Sequence, residues 1–173
     1  MVTNDALCGL LHSENIPIML ATLPERVKGF YSSFNEETSI VMNRCLDEWG
    51  PEYRSILAEE LGHHFTSPVE ALPRSGIPYY ERLQHDRVES KAVRWAADFL
   101  IPTELLLRRI EDCLVSCIQE LADALQVTVE LMQHKLYYMS CKALYWPLSD
   151  GRSLCLASLP SIYIYNPITG EIP

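Results

Sequence analysis

Pro51-Glu-Tyr-Arg-Ser-Ile-Leu-Ala-Glu59-Glu60-Leu-Gly-His63-His64-Phe65 is the stretch that decides the fold. Gly50 precedes it, and Pro51 stands at the first helical position, where its missing N–H costs nothing. The helical pattern runs from Glu52 to about Phe65, and Pro68 stops it. At roughly 100° per residue, Tyr53, Ile56, Leu57, Leu61 and Phe65 form one apolar arc. Glu59 and His63, four residues apart, stand side by side at its edge. Glu60 falls inside the arc, between Ile56 and Leu57. A carboxylate there is costly unless it finds a partner or shifts its pKa.

A second helix is expected over Asp86 to Leu100, closed by Pro102. Val88, Ala92, Trp95, Ala96, Phe99 and Leu100 make its apolar face, while Arg87, Lys91, Arg94 and Asp98 lie on the other side. Glu89 sits in the middle of the apolar face. A buried acid there should meet a cation, a strong donor or a metal. Two helices with inward acids, one also carrying His63, suggest a shared site for a divalent ion. Blander readings exist for each residue alone. Glu59 and His63 can be an exposed pair, Glu60 can pair with an arginine, and Glu89 can belong to a structural salt bridge. His64 and His85 read as packing or surface histidines. The order acid-acid-x-x-His, followed about 25 residues later by an inward acid, outweighs these readings taken together.

Upstream, Ala6 to Glu14 reads as a short helix and Ile16-Pro17-Ile18-Met19 as an edge strand, where Pro is tolerated. Val27 to Ser33 and Thr38 to Asn43 are two further strands, separated by Asn35, Glu36 and Glu37 as by a hairpin loop. Residues 66–85, with Pro68, Pro73, Gly76 and Pro78, read as a loop. Downstream, Thr103 can cap a helix through Glu111. Ser116 with Gln119 has the form of a capping box opening a helix to Leu125, and Thr128 can cap one more, through about Met139. Asp150-Gly151 is a turn signal, and Ser161 to Tyr165 alternates like a strand. The fold class is therefore α+β: a small three-stranded antiparallel sheet on the 52–65 helix and a helical bundle. The expected parts are a 1–112 domain carrying the acid and histidine cluster, a 113–140 helix-turn-helix-like piece and a 141–173 extension, compatible with a terminal hairpin or a tail over the cleft.

The 173 residues, 48% apolar, can bury a core without staples. Fourteen Lys and Arg against 23 Asp and Glu leave a net charge of −9, which disfavours direct nucleic-acid binding. No apolar run approaches the roughly 20 residues that span a bilayer, and no signal peptide is expected at the N-terminus. Cys8, Cys45, Cys113, Cys117, Cys141 and Cys155 show no CxxC spacing and fit free thiols in a reducing cytosol. A cytoplasmic location without membrane attachment is the expectation. The oligomeric state is not set by the sequence.

The run Ile56-Leu-Ala-Glu-Glu-Leu-Gly-His-His-Phe-Thr66 resembles the active helix of the ImmA/IrrE family of metallo-endopeptidases, and Glu89-Ser-Lys-Ala-Val-Arg-Trp-Ala-Ala-Asp-Phe-Leu-Ile-Pro102 is similar to that family's second motif. Leu23 to Tyr31, Ser39 to Asn43 and Glu120 to Thr128 also resemble family segments, so the likeness spans roughly residues 10–140. It implies a zincin-like active helix and a zinc site, with Mn or Fe as lesser alternatives. By position it implies Glu59, His63 and Glu89 as ligands and Glu60 as the general base. It further implies that the chain cuts a helix-turn-helix repressor of a phage or mobile element, and that residues 116–139 hold a protein rather than DNA. The sequence departs from the family motif at its first residue, which is His in the family and Glu59 here. One His and two acids make a harder, more negative donor set. This opens the alternative of a pseudo-peptidase that binds a repressor with little hydrolysis.

Overall fold

The structure, a computed structural model, describes residues 1–34, 37–66, 79–113 and 117–166. It is α+β, with six helices and two small sheets among these residues. Contacts divide the chain into two units, Val2–Ala96 and Ala97–Pro173, the latter together with Met1. The cut falls within one long helix.

The first unit begins with α1 (Asn4–Ser13), followed by β1 (Ile18–Ala21), β2 (Gly29–Phe34) and β3 (Glu37–Asn43). The strands form one sheet in the order β1-β3-β2. β2 and β3 are antiparallel, with Tyr31 opposite Ile40. β1 and β3 are parallel, with Ile18 opposite Ile40 and Ala21 opposite Asn43. The sheet is therefore mixed, a correction to the antiparallel expectation. The reason lies in the path of the chain. A short connection, residues 22–28, joins β1 to β2 and stays at one end of the sheet, so these two strands run in opposite directions. β3 pairs with β2 as a hairpin and inserts between them, which makes it parallel to β1. The polar residues 35 and 36, expected in the hairpin loop, lie outside the described residues.

Asn43 fastens that arrangement. Its Nδ2 donates to Val27 O at 2.8 Å and Leu23 O at 3.3 Å, and its Oδ1 accepts from Cys45 N at 3.3 Å. A buried Asn with its polar atoms satisfied fixes the 22–28 connection under the sheet end at little cost.

α2 (Pro51–Thr66) starts at the proline as the sequence predicts and packs on β2 and β3. Tyr53, Leu57, Ala58 and Leu61 are buried. Leu57 and Leu61 are fully buried, each contributing about 1.5–3 kcal/mol of apolar burial. Phe65, expected on the buried arc, is exposed and stacks instead on Trp95 with ring centroids 4.9 Å apart. The buried Arg54 guanidinium binds the Asn4 side chain and, at 2.7 Å, Val2 O, fastening α1 to α2.

α3 (Tyr79–Leu100) begins seven residues earlier than the expected Asp86. The loop-like composition ends at Pro78, and nothing after it breaks a helix. The remaining expected loop, residues 67–78, lies outside the described residues. α2 and α3 approach closely at Gly62. A Cβ there would stand 2.4 Å from Ala92 O and 2.9 Å from Ala92 Cα. Because the obstacle is backbone, Gly62→Ala must push the helices apart. We expect a loss of about 1–3 kcal/mol in denaturant unfolding, despite the better helix propensity of Ala. An unchanged midpoint would show that the helices are not in this contact.

The second unit contains the end of α3, α4 (Thr103–Cys113), α5 (Ile118–Leu125) and α6 (Val129–Lys142). α5 packs on α4 and α6 through a core that includes Leu121, Ala122, Leu125, Leu131, Met132 and Leu136. Gln126 takes a left-handed φ of 55° in the short α5–α6 turn, and Thr128 caps α6 by accepting from Leu131 N at 3.2 Å. The N-cap of α5 is Cys117, without a side-chain hydrogen bond, in place of the expected box from Ser116, which lies outside the described residues. The extension forms an antiparallel sheet of three short strands, β4 (Tyr145–Pro147), β5 (Ser153–Cys155) and β6 (Tyr163–Tyr165), in that order. It is one strand more than a hairpin. No helix among the described residues is long and apolar enough to cross a membrane. Cys8, Cys45, Cys117, Cys141 and Cys155 are in no disulfide.

Candidate metal centre

The cluster belongs wholly to the first unit. α2 carries Glu59, Glu60 and His63, and α3 carries Glu89. The helix period puts Glu59 and His63 on one edge of α2. The close approach of Gly62 to Ala92 brings Glu89, one turn before Ala92, to that edge. His63 Nε2 lies 3.5 Å from Glu89 Oε2. One donor atom each from Glu59, His63 and Glu89 lies within 4.8 Å of the others, and all three residues are partly exposed. The expected convergence is present. Glu89 is less buried than its place on the apolar face predicts, its side chain being 37% exposed. The reason is its position at the margin of the α2–α3 contact, where Ala92 and Ala96 supply the buried part.

Glu60 turns toward the sheet. Its Oε2 accepts the Tyr31 N–H at 2.7 Å. β2 is an edge strand, and an outward N–H on an edge lacks a ladder partner, so Glu60 supplies one. No side-chain pattern announces a backbone donor, and sequence reading does not find Tyr31.

The electrostatics are those of a site short of positive charge. Loss of hydration pushes the Glu60 carboxyl up to about 7, with the charge of His63 and the hydrogen bond from the Tyr31 N–H opposing and the charges of Glu59 and Glu89 adding. Burial works against the His63 imidazolium. The hydrogen bond and charge of Glu89, with Glu60 and Glu59 behind it, outweigh that and hold its pKa above the ordinary value. Glu89 is held below the usual carboxylate range, first by its hydrogen bond to His63, against burial, and then by the charges of His63 and His85.

The other two histidines divide. His64 faces away, with Nδ1 3.1 Å from Tyr31 Oη and Nε2 3.4 Å from Glu14 Oε2. His85 sits one turn before Glu89, its Nε2 3.5 Å from Glu89 Oε1. The expected loop over residues 66–85 includes His85, whereas α3 already contains it.

The donor set fits a divalent ion. Its two carboxylates outweigh its one imidazole even when His63 is protonated. Two donors bound to one tetrahedral zinc at about 2.0–2.1 Å stand roughly 3.4 Å apart, against 3.5 Å between His63 Nε2 and Glu89 Oε2.

Residues 13–137, well over half of the chain, match the family model for the IrrE N-terminal-like domain, Peptidase_M78. A comparison with curated proteins gave no match.

Proposed function

The chain belongs to the IrrE N-terminal-like family, a family of metallopeptidase type, and from that premise we propose that it is a zinc-dependent endopeptidase that hydrolyses a helix-turn-helix repressor of a phage or mobile element. The observation that carries this reading is the convergence of Glu59, His63 and Glu89 with Glu60 beside them. Glu59, His63 and Glu89 would hold the ion, which when bound supplies Lewis acidity toward water and the scissile carbonyl. Glu60 would take the proton from water and pass it to the leaving amine. With Oε2 engaged by Tyr31 N–H, Oε1 is the atom left for that task. A pKa raised to about 7 keeps proton gain and loss both accessible near neutral pH, and a divalent charge nearby would pull Glu60 toward its basic form.

A protein substrate is favoured over DNA by charge. Lys135 is the sole Lys or Arg between residues 116 and 139. It is buried and paired with Asp98 at 2.6 Å, so residues 117–139 leave no Lys or Arg free for phosphate, and α6 offers a single exposed cation, Lys142, in its last turn. The test is incubation of the zinc-loaded chain with a helix-turn-helix repressor, read by mass spectrometry. Discrete cleavage that stops on chelation is expected, and an intact repressor under metal-replete conditions would refute the reading.

Glu59 favours a second reading, a repressor-binding protein with weak hydrolysis. The two readings separate on Glu59→His. Exchanging a carboxylate for imidazole in so acidic a donor set should raise preference for zinc over manganese by about an order of magnitude. If hydrolysis rises from nothing to measurable only in that variant, the wild-type chain is the binding protein. If the wild type already cleaves, it is the enzyme.

A further inference from the structure

Glu89 is met from two sides. Its Oε2 lies 3.5 Å from His63 Nε2 on α2, and its Oε1 lies 3.5 Å from His85 Nε2 on its own helix. The Glu89 side chain is 37% exposed, so packing alone does not lock its rotamer, and an unheld glutamate loses rotamer entropy on binding an ion. The i,i+4 spacing places His85 on the same face of α3, within reach of Oε1, while Oε2 meets His63. His85 is not in the group of donor atoms that lie within 4.8 Å of one another, which consists of Glu59, His63 and Glu89. It neighbours Glu89 without belonging to that group.

We propose that His85 is a positioning residue of the metal centre, holding Glu89 by its outer oxygen so that the inner oxygen faces His63 and Glu59. This rests on the reading that those three residues bind a divalent ion. Ligating carboxylates held by an outer partner bind metal more tightly, because the orientation is set before the ion arrives. The need is greater here than in a site with two histidines. With Glu59 at the first motif position, two of the three donors are flexible carboxylates, and His85 removes the freedom of one of them.

The experiment measures zinc affinity by competition with a chelator in metal-stripped wild type, His85→Ala and His85→Gln, alongside the thermal midpoint of each metal-free protein. His85→Ala should weaken zinc by about 10–100-fold and His85→Gln, which keeps a donor, should recover most of that. Both metal-free midpoints should match the wild type, because the residue is partly exposed. His85→Ala binding within about twofold of wild type overturns the proposal. So does a Gln variant as weak as the Ala variant, which would make His85 a direct ligand, or an affinity loss that tracks a fallen midpoint. A wild-type chain that binds no zinc overturns instead the reading beneath it.

Discussion

His63→Ala should abolish zinc retention, raising the dissociation constant by about three orders of magnitude or more, equivalent to about 4 kcal/mol. His63 is the sole nitrogen among the three converging donors, and its Nε2 is the atom that meets Glu89. Without it, Glu59 and Glu89 remain as two carboxylates beside the already disfavoured charge of Glu60. Dialysis followed by elemental analysis reads the result. The fold should survive, because the His63–Glu89 pair is open to solvent on the Glu89 side and such pairs are worth about 0–1 kcal/mol. The metal-free variant should therefore melt close to wild type. A variant that keeps its zinc would place the ion elsewhere in the chain.

Glu60→Gln should do the opposite: keep the metal and lose the chemistry. The amide oxygen of Gln can still accept the Tyr31 N–H, now made to Glu60 Oε2 at 2.7 Å, so the side chain should hold its place. What is lost is the ability to take and return a proton, a contribution of about 10²–10⁴ in rate. Zinc content should stay near one per chain. Hydrolysis that persists in this variant would remove Glu60 as the base. A simultaneous loss of metal would instead make Glu60 a ligand.

Legibility in the sequence followed the reach of each physical signal. α2 was readable from end to end, since Pro51 opens it and its apolar period is clear through Leu61. That single helix carries Glu59, Glu60 and His63, so most of the candidate cluster was legible with it. Glu89 was readable as an acid on an apolar face, although it proves half-exposed at the margin of that face. Phe65 kept the period but lost the burial, because its neighbour is the Trp95 ring rather than the sheet. The strands were readable as strands, whereas their order was not. Side-chain alternation says nothing about which edge a short connection will reach, and the parallel pairing of β1 with β3 follows from that path. α3 was cut short because Pro68, Pro73, Gly76 and Pro78 coloured the reading up to His85, and the helix turns out to resume at Tyr79. That one boundary hid the i,i+4 approach of His85 to Glu89. Tyr31 was out of reach for a different reason, since its contribution to Glu60 is a main-chain N–H. In the second unit, β4 and β5 have three residues each, too few for a period-two pattern to declare itself.

The central claim is that Glu59, His63 and Glu89 together hold one divalent ion. Anomalous diffraction at the zinc absorption edge, from crystals of zinc-loaded protein, tests it most directly. The account predicts one strong peak, about 2.0–2.2 Å from an oxygen of Glu59, a nitrogen of His63 and an oxygen of Glu89. A zinc-replete crystal with no peak among these three residues, or with its peak held by other side chains, would contradict it.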